Sequence, residues 1–179
     1  MINLLCVNGF LCNKLYSREL IIRNELFIKL DNSISMMEDN LFNYHVYEFN
    51  KTFNCTYIDD KLYHYIQNSN SACNKKYSLD KLQYFIVRNK QIEILNKKNI
   101  SSDFLKVDFI FNFIKDSYKI KKLKIEKNNL FYSLEKNYYS YKNEIDINNI
   151  STRLKLKYFI CRFFTFLIKI SVLIKKENI

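Results

Sequence analysis

ISSDFLKVDFIFNFIKDSYKIKKLKIEKNNLFYSL, from Ile100 to Leu134, is the stretch whose reading decides the fold. Its first half is patterned as a helix. Ser101 and Ser102 are N-cap residue types, and Asp103 falls in the first turn, where the helix dipole favours a carboxylate. Val107, Ile110, Phe111 and Ile114 follow at i, i+3, i+4 and i+7, on one helical face. After Asp116 and Ser117 the period changes. Ile120, Leu123 and Ile125 stand among Lys119, Lys121, Lys122, Lys124 and Lys127, and from Leu123 to Lys127 apolar and charged residues alternate as along a half-buried strand. Asn128 and Asn129 tolerate positive φ and suit a tight turn, after which 130–134 resumes an aromatic, strand-like run. The expectation is a helix followed by a lysine-faced hairpin.

Outward from this stretch, 83–95 (QYFIVRNKQIEIL) has the pattern of a second hairpin turning at Arg88, Asn89 and Lys90. Residues 136–143 form a polar, Tyr-rich loop in this reading. Ile147, Ile150 and Leu154 open a further helix, capped at Asn149 or Ser151 and running to about Phe159. Ile168, Ile170, Val172 and Ile174 alternate with Lys169 and Ser171 as a closing strand. Toward the N-terminus, 18–30 fits a helix or a strand. Residues 31–77 are rich in Asn, Ser and Tyr and form an insertion or extension with one or two short helices. Its aromatics, Phe42, Tyr44, Tyr47, Phe49, Phe53, Tyr57, Tyr63 and Tyr65, are too many for a disordered segment. The fold class expected is α+β.

Charge divides the chain in two. Residues 1–77 hold 8 Lys/Arg and 8 Asp/Glu, whereas residues 78–179 hold 21 and 10, which accounts for the whole net charge of +11. One Gly, no Pro and no Trp, beside abundant Asn, Lys, Ile, Tyr and Phe, is the signature of an A/T-rich gene. Codon bias spreads lysine evenly; the asymmetry therefore points to a polyanionic partner for a basic domain over 78–179, next to a neutral, aromatic N-terminal part over 1–77. Five cysteines without a CxxC pair imply reduced thiols rather than a disulfide framework. The first twenty residues lack the basic start and cleavage site of a signal peptide and the Arg/Ser-rich pattern of a transit peptide, so a protein made inside an organelle is expected.

Few residues suggest catalysis. Cys6, Cys12, Cys55, Cys73, His45 and His64 lack the knuckle spacing of structural zinc, and no metal or other cofactor is expected. Asp60 and His64 lie at i, i+4 and read as an exposed ion pair. A single glycine excludes a phosphate-cradling loop. An enzyme is not expected. Tyr158 to Ile174 is apolar over 17 residues but contains Arg162 and Lys169; it reads as a helix end running into a core strand, with a membrane helix as the alternative.

Ile120, Leu123, Ile125, Glu126 and Lys127 after a helix resemble the I-x-x-I-x-I-E-R strand that opens the KH domain of the small-subunit ribosomal protein S-three family. Val7, Asn8, Gly9, Phe10 and Leu11 loosely resemble that family's opening motif. The resemblance implies a KH-like α-β-β-α-β domain, degenerate because no glycine lies between Leu134 and Arg153 for the GxxG loop. It implies a structural constituent of an organellar, mitochondrial small ribosomal subunit, with ribosomal RNA and neighbouring ribosomal proteins as partners. The residues expected to hold RNA are Lys119, Lys121, Lys122, Lys124, Lys127, Lys136, Lys142, Arg153, Lys155 and Lys157, with Tyr138 and Tyr139 as base-stacking platforms. The competing expectation is an accessory subunit of a mitochondrial respiratory complex, anchored in the membrane by 158–174.

Overall fold

The computed structural model describes residues 11, 14–26, 33–49, 56, 64, 66 and 77–163. Every regular element among them is helical: α1 (Arg18–Arg23), α2 (Glu38–Phe49), a 3-10 turn (Leu79–Leu82), α3 (Gln83–Lys97), α4 (Asp103–Lys122), α5 (Asn129–Glu144), a second 3-10 turn (Ile147–Asn149) and α6 (Thr152–Phe163). The chain forms two compact units, Met1–Ile94 and Leu95–Ile179, so the division falls inside α3. The expected α+β, KH-like fold is therefore corrected to a helical one. The closing strand expected at 168–174 lies outside the described residues.

In the first unit Ser17 caps α1, its hydroxyl accepting from the Leu20 amide at 3.4 Å. Leu26, Phe42 and Val46 are buried together, with Tyr16, Leu20, Ile21 and Phe49 around them. The Tyr16 ring meets Phe42 edge-on at 5.6 Å, and its hydroxyl donates to Asn43. On α3, Gln91 is fully buried; its amide donates to Asn40 of α2 and its carbonyl accepts from Arg88 at 2.8 Å. This overturns the hairpin expected over 83–95. Val87, Gln91, Ile94 and Leu95 are all buried at i, i+4, i+7 and i+8, and the polar Gln91 within that stripe hides its period from a hydropathy reading. Arg88, Asn89 and Lys90 sit in mid-helix.

The second unit is built on α4. No residue from Ser102 to Ile120 is exposed. The Ser101 hydroxyl donates to the Asp103 carboxylate at 2.9 Å, and Ser102 donates to Asn96 at 2.8 Å, which fixes the helix start where Ser101 to Asp103 place it. One face, Val107, Ile110 and Ile114, packs with Ile150, Tyr158 and Cys161. Another carries Phe109 and Phe113. Phe113 lies 5.3 Å from Phe131 and 5.4 Å from Tyr138, while Phe109 meets Tyr141 edge-on at 5.2 Å. On α5 and its C-cap, Phe131, Leu134, Tyr138, Tyr141 and the cap residue Ile145 recur at alternating spacings of three and four, the seam pattern of packed helices. The loop expected at 136–143 is thus helix.

The lysine-faced hairpin is corrected by the same geometry. α4 continues through Ser117 to Lys122, because Ile120 lies seven residues beyond Phe113, on the same face, and is 1% exposed. The helix then closes in a Schellman motif: the Ile125 amide donates to the Ile120 carbonyl at 3.0 Å and the Lys124 amide to Lys121 at 3.2 Å, with Lys124 left-handed at φ 54°. Asn99 ends α3 in the same way at φ 55°, with Ile100 bonded back to Leu95 at 3.0 Å. Both motifs place a non-glycine residue where glycine is favoured. Asn128, expected in a β-turn, instead caps α5, its side chain accepting from the Phe131 amide at 2.9 Å. The alternation of 123–127 spans the helix end and the loop rather than a strand.

Pairing fixes the direction of each helix. Lys106 near the start of α4 bridges to Glu144 at the end of α5 (3.2 Å), so these two run antiparallel. Asn149 reaches Asp103 at 3.4 Å and Lys157 reaches Asp108 at 2.9 Å, so α6 runs parallel to α4. The unit is an up-down-up arrangement of three helices.

Replacing Lys124 by Gly should raise stability by about 1 kcal/mol, by relieving the left-handed backbone of a residue with a Cβ. Denaturant midpoints read it, and a lower midpoint would refute the motif. Phe113→Ala should cost about 3–5 kcal/mol by the same measurement, because three other rings close on Phe113.

Candidate nucleic-acid interface

The residues expected to hold RNA divide into three places. Lys119, Lys121 and Lys122 occupy the last turn of α4, where the open carbonyl end of the helix favours cations. Lys124 follows at the left-handed position and Lys127 three residues on, so all five belong to one end of the unit. Lys121, Lys122 and Lys124 are exposed and form no ion pair among the described residues. The Lys127 ammonium stands 4.4 Å from the centre of the Phe131 ring and 6.0 Å from that of Tyr132. Glu126 is the exposed acid within this loop. The hairpin is gone, but its lysines remain together, gathered by a helix end and a tight loop.

The tyrosines separate. Tyr138 is half-buried and no open stacking platform; it packs on Phe113 and against the core of α4 and α6, and burial pushes its hydroxyl pKa up, with Tyr139 and Cys161 adding to the shift. Its place in the seam with Phe131, Leu134 and Tyr141 was available from spacing. Tyr139 is 59% exposed, about 100° around α5 from Tyr138. Tyr132, absent from the expected set, is 55% exposed and lies seven residues before Tyr139, with the exposed Lys136 between them. Tyr132, Lys136 and Tyr139 at i, i+4 and i+7 form an outward stripe leading away from the lysine end. Lys142 is half-buried, its ammonium 6.0 Å from the Tyr138 ring centre.

Arg153, Lys155 and Lys157 do not join this group. α6 starts beside the start of α4, and α4 has 20 residues, so Arg153 stands roughly 25–30 Å from Lys122 along the axis. Lys157 is engaged: its ammonium lies 2.9 Å from the Asp108 carboxylate and 4.4 Å from the Phe111 ring centre. The acids also gather at this end. Lys106 lies between Asp103 (3.8 Å) and Glu144 (3.2 Å). A hydrogen bond from the Ser140 hydroxyl, helped by Lys106, holds the Glu144 carboxyl below its usual pKa. Asp146 caps the following 3-10 turn, accepting from the Asn148 amide at 2.9 Å. Proximity in sequence had joined two opposite ends of one bundle.

No group of His, Cys, Asp and Glu able to hold a metal occurs among the described residues. His45 is bonded to Glu48 at 3.1 Å on α2, and Cys6, Cys12, Cys55, Asp60 and Cys73 lie outside the described residues. Cys161 is 1% exposed, and burial pushes its thiol up to about 12, against the weaker opposing pull of Lys157 and Lys142. A neutral, enclosed thiol is a poor nucleophile. A raised thiol pKa stabilises the fold below the unfolded value, near 9, and that contribution is lost as pH rises toward 12. Stability between these pH values should therefore fall more steeply in the native protein than in Cys161→Ala, as read by thermal melts across the range. Equal slopes would refute it. Comparison with protein-family models, curated proteins and solved structures returns no match to this chain.

Proposed function

We propose that this chain is a non-enzymatic, RNA-binding constituent of a ribonucleoprotein, with the small ribosomal subunit of an A/T-rich organelle, a mitochondrion, as the assembly to test first. The observation that supports it is the lysine end of the second unit. Lys121, Lys122 and Lys124 project from a helix terminus and its loop with no ion pair among the described residues, beside Lys127 held on an aromatic ring. A rigid helix end holding several ammonium groups fits phosphate oxygens, which position a protein on RNA without reading its sequence. Tyr132, Lys136 and Tyr139 extend the surface with two exposed rings on which unpaired bases can stack, flanking a cation for the backbone between them. The organellar and ribosomal part of the proposal rests on composition and on the basic C-terminal part, and no longer on a KH-like fold.

Charge removal at Lys121, Lys122 and Lys124 together (each to Gln) should weaken binding to single-stranded RNA and lower the salt slope by about 2, at about 0.7 for each phosphate no longer neutralised. Arg153→Gln with Lys155→Gln, at the far end, should change affinity less than the triple variant does. Filter-binding titrations over a range of salt distinguish these. Unchanged affinity in the triple variant would exclude the lysine end as the RNA-binding surface. Sedimentation of a native extract tests the assembly: co-migration with the small ribosomal subunit, abolished by RNase treatment, is expected.

A further inference from the structure

α6 has a second apolar face that the RNA reading does not use. Leu156, Phe159 and Phe163 are 62%, 47% and 61% exposed, and the two phenylalanine rings lie 4.8 Å apart. At about 100° per residue these three share an arc of about 60°. Leu154, Tyr158 and Cys161, which face α4, occupy the opposite side. Lys155 and Arg162 border the exposed arc on one side and Arg153 on the other, while Lys157 is turned away to Asp108. The sequence adds a second observation: no Asp or Glu stands between Asp146 and Glu177, although seven Lys and Arg do.

We infer that α6 docks on an anionic lipid surface, lying along it with Leu156, Phe159 and Phe163 in the acyl boundary and Arg153, Lys155 and Arg162 at the headgroups. An apolar arc with cations on both borders is the form of an interfacial helix. A partner helix of the same chain is disfavoured by charge, since α6 brings cations and no acid to the contact. The apolar arc runs the length of α6 from Leu156 to Phe163, so the contact lies parallel to the surface. Each cation near an anionic leaflet contributes about fivefold in partitioning, and each buried ring more.

The test is flotation of the full chain with vesicles of phosphatidylcholine alone or with phosphatidylglycerol. The wild type is expected to float with the anionic vesicles only. Phe159→Ser with Phe163→Ser should reduce this by about tenfold or more, and Arg153→Gln, Lys155→Gln and Arg162→Gln together by about a hundredfold. Circular dichroism checks that helicity is kept; the charge variant gives up one bond, from the Arg162 guanidinium to the Tyr158 hydroxyl at 2.8 Å, and carries the test if the phenylalanine variant unfolds. Equal flotation with both vesicles would overturn the proposal. So would anionic binding that neither variant reduces, or a wild type that ignores vesicles and instead forms dimers that the phenylalanine substitutions dissociate.

Discussion

A helix buried or half-buried along almost its whole length dictates the rest of the second unit. From Ser102 to Ile120 every residue is buried or half-buried, and this span contains Asp103, Lys106, Asp108, Lys115, Asp116 and Lys119. Enclosing charge is costly unless a partner arrives with it. Two such partners come from other helices: Glu144 of α5 reaches Lys106, and Lys157 of α6 reaches Asp108. Those pairs do more than neutralise. Each joins a particular residue of one helix to a particular residue of the next, so they fix the register in which the apolar faces meet. The rings of Phe109 and Phe113 then decide how closely α5 can approach.

Much of α4 was legible. Ser102 stands at the N-cap position and Asp103 in the first turn, as their residue types suggest, although the Ser102 hydroxyl bonds Asn96 instead of capping an amide; Val107, Ile110 and Ile114 marked one buried face through their spacing. Its end was not. Lys124 adopts a backbone conformation usually signalled by glycine, and nothing in a lysine's identity announces it. Asn128 suits a tight turn and a helix cap equally, because in both its short side chain satisfies a nearby amide. Gln91 broke the apparent period of α3 because a buried amide is invisible to a hydropathy pattern unless its partners, Asn40 and Arg88, are known.

The candidate site was legible in composition and not in arrangement. The lysines of 119–127 stayed together because a helix end and a six-residue loop hold them. Arg153 and Lys155 moved away because chain direction, which local spacing does not encode, carries α6 back to the start of α4. Tyr138 and Tyr139 are neighbours in sequence with opposite fates, since consecutive helical residues point about 100° apart. The seam of Phe131, Leu134, Tyr138, Tyr141 and Ile145 takes the first inward and leaves the second outside with Tyr132.

Separation of charge along the bundle has a kinetic consequence. At the start of α4, Asp103, Glu144 and Asp146 offset Lys106, Arg153 and Lys155, so that end is close to neutral; at its finish, Lys119, Lys121, Lys122, Lys124 and Lys127 outnumber Asp116 and Glu126. This surplus exceeds and opposes the half-charge that the helix backbone places at its C-terminus. An object charged at one end experiences a torque in the field of a polyanion, and turns its cationic end forward before any contact forms. Orientation is then largely settled during diffusion. Encounters with a polyanion would then become productive more often, and added salt would slow arrival more than it hastened departure.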